Sequence, residues 1–165
     1  MTDANAKNDP RDLILSRIVP VPREILWKAW TQPVHLMKWF CPVPWKAVEC
    51  DIDLRPGGVF RTVMHGPAGE VHGADSPGGC FLVVEAPHRL VWTSALTAGF
   101  RPVHDPVLMF TAELTFETVE GGTRYHVRAI HTNEADAKKH AEMGFEAGWG
   151  KALEQLVELA DTMMD

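Results

Sequence analysis

The sequence has no apolar run of the roughly eighteen residues that a membrane-crossing helix needs. It has no surplus of positive charge either: 16 Lys and Arg stand against 22 Asp and Glu, a formal net charge of −6. A nucleic-acid duplex and an anionic membrane surface both call for a basic face, so neither is expected as a partner. The opening MTDANAKNDPRD lacks the apolar segment of a secretory signal. It is read as a disordered lead over residues 1–11. Cysteine is scarce, with Cys41, Cys50 and Cys80 at wide spacing. An odd number so placed points to reduced thiols in the cytoplasm, not to a disulfide framework. CxxC and HExxH are missing, so no metal site is expected. A nucleophile elbow, a P-loop, a dinucleotide-binding glycine motif and a haem motif are missing too, and no cofactor is expected. There are no internal repeats and no low-complexity segments.

What is there is an ordinary globular balance: 165 residues, 45% hydrophobic and 23% charged. That length suits one domain with its own core, here residues 12–165. LILSRIV reads as a first strand because it is apolar, β-branched and ended by Pro20. PREILWKAWT repeats its apolar residues at helical spacing, and Pro33 breaks it and starts a second short helix, PVHLMKWF. WKAVECDIDLR alternates, with Val48, Cys50, Ile52 and Leu54 opposite Glu49, Asp51, Asp53 and Arg55. RPGG supplies a type II turn and VFRTVM returns as its hairpin partner. Residues 65–79 and 95–106 read as loops. CFLVVEAPHRLVWTS gives two more strands, and LMFTAELTFE and RYHVRAIH form a hairpin through EGGT.

Asn133 is placed to cap one long helix that runs to about Met163, with Asp136 near its first-turn amides. Its apolar stripe is Phe145, Trp149, Leu153, Leu156, Ala160 and Met163. The order is strand, two short helices, about six antiparallel strands, one long helix. A curved antiparallel sheet must have one face covered, and the long helix is the element large enough to do it. A hollow remains wherever side chains between them fail to fill the space.

Six segments, in this order, carry a family resemblance: VPREILWKAWTQPVHLMKWF, DLRPGG, GGCFLVVEAPHRLVWT, GFRP, GGTRYHVRAIH and HAEMGFEAGWGKALEQL. Together they resemble the START-like (SRPBCC) superfamily, in the branch named for the C-terminal domain of the heat-shock protein 90 ATPase activator. The resemblance implies an α+β helix-grip fold, also called Bet v-like. In it a sheet of six to seven strands wraps a long C-terminal helix around an internal cavity. It leaves the activity open, because family members bind or process many small molecules.

The candidate walls of that cavity are Trp39, Phe60, Trp92, Phe110, Phe145 and Trp149, since ligand pockets are mostly apolar. For Phe60 and Trp92, a slip of one residue in strand parity would reverse the facing. Ala141, Gly144, Gly148 and Ala152 form a small-residue stripe along the helix, which serves either close packing or space for a ligand. Three glycines inside a helix, Gly144, Gly148 and Gly150, would together cost up to roughly 3 kcal/mol. Tyr125 and His131 share strand parity and turn toward the helix, so His131 is the candidate proton-transfer group. Its nearest titratable companions in sequence are His140 and Glu142. Asp51, Asp53 and Arg55 read as a solvated or salt-bridged face, and the cysteines as inert buried thiols.

The leading expectation is a binding protein for a small apolar, aromatic or lipid-like molecule, cytoplasmic, and a monomer or homodimer. The alternative is a cyclase- or aromatase-like enzyme using a cavity histidine, His131, with Tyr125. Third comes a chaperone ATPase co-regulator. It ranks last because about a dozen residues before the first strand leave no room for the activator's separate N-terminal domain.

Overall fold

The computed structural model describes residues 9–106 and 108–164. Its elements run β1 (Asp12–Val19), α1 (Arg23–Thr31), α2 (Pro33–Leu36), β2 (Lys46–Ile52), β3 (Val59–His65), β4 (Val71–His72) and β5 (Gly79–Glu85). They continue β6 (Arg89–Thr93), β7 (Leu96–Thr97), β8 (Arg101–Pro102), β9 (Thr111–Val119), β10 (Gly122–Ile130), α3 (Glu134–Glu142) and α4 (Phe145–Met163). Of the expected N-terminal lead, residues 1–8 lie outside the described residues. Asp9 to Asp12 form a hydrogen-bonded turn, with Asp12 N–H donating to the Asp9 carbonyl at 2.9 Å.

The main sheet is antiparallel in the order β1-β10-β9-β6-β5-β3-β2, with β4 beside β3. Alternation sets its two faces. In β10, Tyr125, Val127 and Ala129 are buried while Arg124, His126 and Arg128 lie half-buried on the other side. The register pairs Tyr125 with Phe116 and Val127 with Leu114, so apolar faces stack across strands. The result is the curled antiparallel sheet and C-terminal helix of the helix-grip fold.

Three strands fall in segments that the sequence presents as loops. β4, β7 and β8 have two residues each, too few for a period-two signal. In β2, a bulge between Ala47 and Glu49 ends the alternation, and Val48 is left exposed. Leu54 lies beyond the strand and is exposed as well. The turn at Arg55-Pro56-Gly57-Gly58 is type II: Gly58 N–H donates to Arg55 O at 2.8 Å and Gly57 has φ 85°. The charged face holds as ion pairs, Arg55 to Asp53 at 2.8 Å and Arg61 to Asp51 at 3.1 Å.

The sheet comes apart at one place. β3 and β5 share only Val59↔Cys80 and Phe60↔Gly79, whereas β9 and β10 are paired along their whole length. The rest of β3 turns away with β2 and β4. A second bulge, between Phe81 and Val83, adds to the bend.

Helix α1 stops where Gln32 becomes extended (φ −108°, ψ 118°), as a residue before proline must. α2 is one turn long, and Trp39 Nε1 donates to Ala29 O at 3.0 Å, folding the following segment back on α1. The C-terminal helix is two helices, not one. Asn133 caps α3, its side chain accepting from Asp136 N–H at 2.8 Å. The chain then takes a left-handed turn at Gly144 (φ 97°, ψ 35°) before α4 begins. Gly144 is therefore a hinge between helices and carries no helix-interior cost. That cost falls on Gly148 and Gly150 alone.

The two glycines should respond oppositely to alanine. Gly144→Ala forces a side chain into a left-handed conformation and is expected to destabilise by about 1–2 kcal/mol. At Gly148 an added Cβ meets no atom within 4 Å, so Gly148→Ala is expected to stabilise by about 1 kcal/mol. Urea unfolding of both variants checks this, and equal signs would contradict the two-helix geometry.

Candidate functional site

A cavity of about 580 Å³ lies between α4 and the concave face of the sheet. Its walls are rings from several elements. Phe60 on β3 faces Trp92 on β6 at 4.9 Å, and Trp92 faces Phe110 at 5.5 Å between centroids. From the helix side, Phe145 and Trp149 meet at 5.6 Å. Trp30 of α1 meets Trp39 at 5.0 Å and closes one end. Edge-to-face and tilted contacts of this kind each add about 0.5–1.5 kcal/mol beyond burial. The wall is a connected network of rings.

Eight of the nine residues read from the sequence as site candidates line this cavity. Trp39, Phe60, Trp92 and Phe110 do so, and Phe60 and Trp92 turn inward. Tyr125, Phe145, Gly148 and Trp149 do so as well. His131 does not. It is buried behind the wall and both of its ring nitrogens are engaged: Nδ1 lies 2.9 Å from the Arg11 carbonyl and Nε2 lies 2.8 Å from Nδ1 of His140. His140, not His131, lines the cavity on this side, and the exposed His72 lines it at its open end. Glu142 is exposed and joins neither. The small-residue stripe is broken at the Gly144 turn, with Ala141 exposed on α3. Open space beside Gly148 rules out close packing there.

The polar atoms of the wall are few. Trp30 Nε1 donates to the Tyr125 hydroxyl at 3.0 Å. Burial pushes the Tyr125 phenol up from its ordinary value, so it stays protonated. The Trp92 indole N–H is buried and meets no acceptor among the described residues, a deficit of about 1–3 kcal/mol. Cys41 lies in the wall, and burial raises its thiol, as it pushes Cys50 up to about 11. Neither thiol is activated.

Two side chains that sequence reasoning missed hold the site together. Gln155 of α4 donates through Nε2 to the carbonyls of Trp39 at 3.0 Å and Cys41 at 2.8 Å. Its Oε1 accepts from Val43 N–H at 2.9 Å. Arg61 donates to Asp51 at 3.1 Å and to the carbonyls of Ser76 at 3.1 Å and Ala74 at 3.0 Å. It pins the loop after β4 across the divergence of β3 from β5, where the cavity reaches exposed residues such as His72 and Ser76. No local pattern marks either residue, because all their partners are distant or are backbone atoms.

The aromatic-lined space under a grip of curled sheet and terminal helix defines a START-like superfamily protein. Residues 20–161 match the family model described as activator of Hsp90 ATPase homolog 1-like protein, and the chain belongs to that family. A crystal structure of a protein from Nitrosomonas europaea is similar at 41% identity and TM-score 0.89, over 95% of this chain and 98% of that one. A solution structure from Arthrobacter aurescens is similar at 25% identity and TM-score 0.77, over 98% of this chain and 93% of that one. A Rhodobacter sphaeroides protein shares the fold at 24% identity and TM-score 0.78, over 97% and 99% of the two chains. No curated protein matches the chain. Among the described residues no helix is long and apolar enough to cross a membrane.

Two outcomes follow from this geometry. Gln155→Leu strands three backbone groups and is expected to destabilise by about 1–3 kcal/mol in urea unfolding. The second concerns pH. Burial first, and the neighbouring His131 second, push the His140 imidazole down to about 4. His131 faces it from the end of β10, Phe110 and Phe145 face it without charge, and Lys139 and Glu142 on its own helix are exposed. Below about 6.5 the unfolded chain takes up a proton on this residue that the folded chain refuses. Stability is therefore lost as pH falls from about 6.5 toward 4. Thermal melts across that window should fall less steeply for His140→Phe than for the wild type.

Proposed function

We propose that this protein binds a small apolar, aromatic molecule in the cavity between α4 and the sheet. The observation that carries the reading is the unfilled space beside Gly148, walled by Phe60, Trp92 and Trp149. Its volume of about 580 Å³ falls within the roughly 300–1,000 Å³ of small-molecule sites. Membership of a family on a fold typical of ligand binders supports the reading without choosing a ligand. Native mass spectrometry of freshly purified protein, compared with its denatured mass, tests for a molecule carried from the cell.

A second reading is an enzyme on the same fold, resembling cyclases or aromatases. One observation favours it: a histidine in the wall, now His140 instead of His131. A site that holds a reactive chain in shape needs little more than the pocket and a proton acceptor.

Gly148→Leu separates a binding cavity from an incidental void. The larger side chain enters the open space, and naphthalene, titrated by quenching of tryptophan fluorescence, is expected to bind at least about tenfold more weakly. The melting temperature should hold or rise. Unchanged naphthalene affinity would remove the cavity reading.

A further inference from the structure

The hydrogen bonds behind the wall decide what His140 offers to the cavity. A carbonyl oxygen only accepts, so the His131 Nδ1 that lies 2.9 Å from Arg11 O carries a proton. When His131 is neutral it has only this one N–H, and its Nε2 is then a bare lone pair. Its partner at 2.8 Å, His140 Nδ1, must then be the donor. His140 Nε2 is left unprotonated. It has no hydrogen-bond partner among the described residues, and the two nitrogens of an imidazole point away from each other. With Nδ1 turned back to His131, Nε2 is turned away from it, on the ring that lines the cavity. His140 is 6% exposed, and its ring meets Phe110 at 4.8 Å and Phe145 at 5.2 Å. An acceptor in apolar surroundings rewards a donor more than the same group in water would.

Two further features narrow the ligand. The arginine in the wall, Arg61, is already committed to Asp51 and two carbonyls, so it is not free to meet a carboxylate. Trp92, whose ring meets Phe110 at 5.5 Å, has a buried N–H that lacks an acceptor among the described residues.

We propose that the cavity takes an uncharged aromatic molecule bearing a hydroxyl group, a phenol, whose O–H donates to His140 Nε2. The relay from the Arg11 carbonyl through His131 fixes that nitrogen as an acceptor. This rests on the binding reading above and names its ligand class. His140 touches the ligand. His131 is a positioning residue that acts by setting the tautomer.

The test uses three probes of one shape: 2-naphthol, 2-methoxynaphthalene, which keeps the oxygen and loses the donor, and naphthalene. In the wild type 2-naphthol is expected to bind about tenfold or more tightly than the other two. In His140→Phe that preference should vanish. Nitrogen-15 NMR of the histidine rings gives a readout independent of any variant: His140 should have a protonated Nδ1 and a bare Nε2 that shifts when 2-naphthol is added. In His131→Phe the same ring should move to the opposite tautomer. Equal affinity for 2-naphthol and 2-methoxynaphthalene in the wild type, a preference that survives in His140→Phe, or a protonated Nε2 in the free protein would each overturn the proposal. If none of the three probes binds the wild type, the binding reading itself falls with it.

Discussion

The left-handed turn at Gly144 sets where everything at the C-terminal end of the chain lies. Residues five apart on one unbroken helix point about 140° away from each other. His140 and Phe145 are five apart, yet their rings meet at 5.2 Å, because the turn between them re-aims the chain. The same turn lets α3 fold against β1 and bring His140 over His131, while α4 takes its own line across the concave sheet. A non-glycine residue at that φ is strained, so a single residue without a side chain couples the histidine pair to the aromatic wall.

The cavity stays open for a related reason. Rings from β3, β6, α1 and α4 brace one another at centroid distances near 5–6 Å, and a ring network cannot collapse as flexible aliphatic chains would. Opposite it, α4 presents Gly148 and Ala152, which fill almost nothing. Away from this unfilled volume the core is buried, around Leu114, Val127, Leu153 and Leu156. Gln155 closes the seam between these regions by fixing the Trp39–Val43 segment to the helix.

Much of this was legible in the sequence where one period governs many residues. Tyr125, Val127 and Ala129 declare their face by alternation, and Leu153, Leu156 and Ala160 by helical spacing. The inward rings could be named for that reason. What the sequence hid are single events. The bulge beside Val48 reverses parity at one residue. Glycine inside an apolar helical stripe reads the same whether it is a hinge, as Gly144 is, or a gap, as Gly148 is. His131 has the parity of a cavity residue, but the final step of the strand and the placement of α3 set His140 in front of it. That pairing depends on the Gly144 turn and on the Arg11 carbonyl, which no spacing rule connects.

The identity of the relay's last member bears on the two functional readings. In a catalytic triad a buried carboxylate stands behind the histidine, holds its tautomer and stabilises the imidazolium that forms when it takes a proton. Here the group behind is a neutral backbone carbonyl, and the intermediate is a second imidazole. The tautomer is held equally well, but a proton gained by His140 finds no compensating negative charge. Burial first, and the neighbouring His131 second, depress its basicity to about 4, well below the near-neutral value that suits a general base. A nitrogen of that kind accepts a hydrogen bond without taking the proton. The arrangement is therefore matched to recognising a hydroxyl, and proton abstraction would need a ligand that brings its own charge into the cavity.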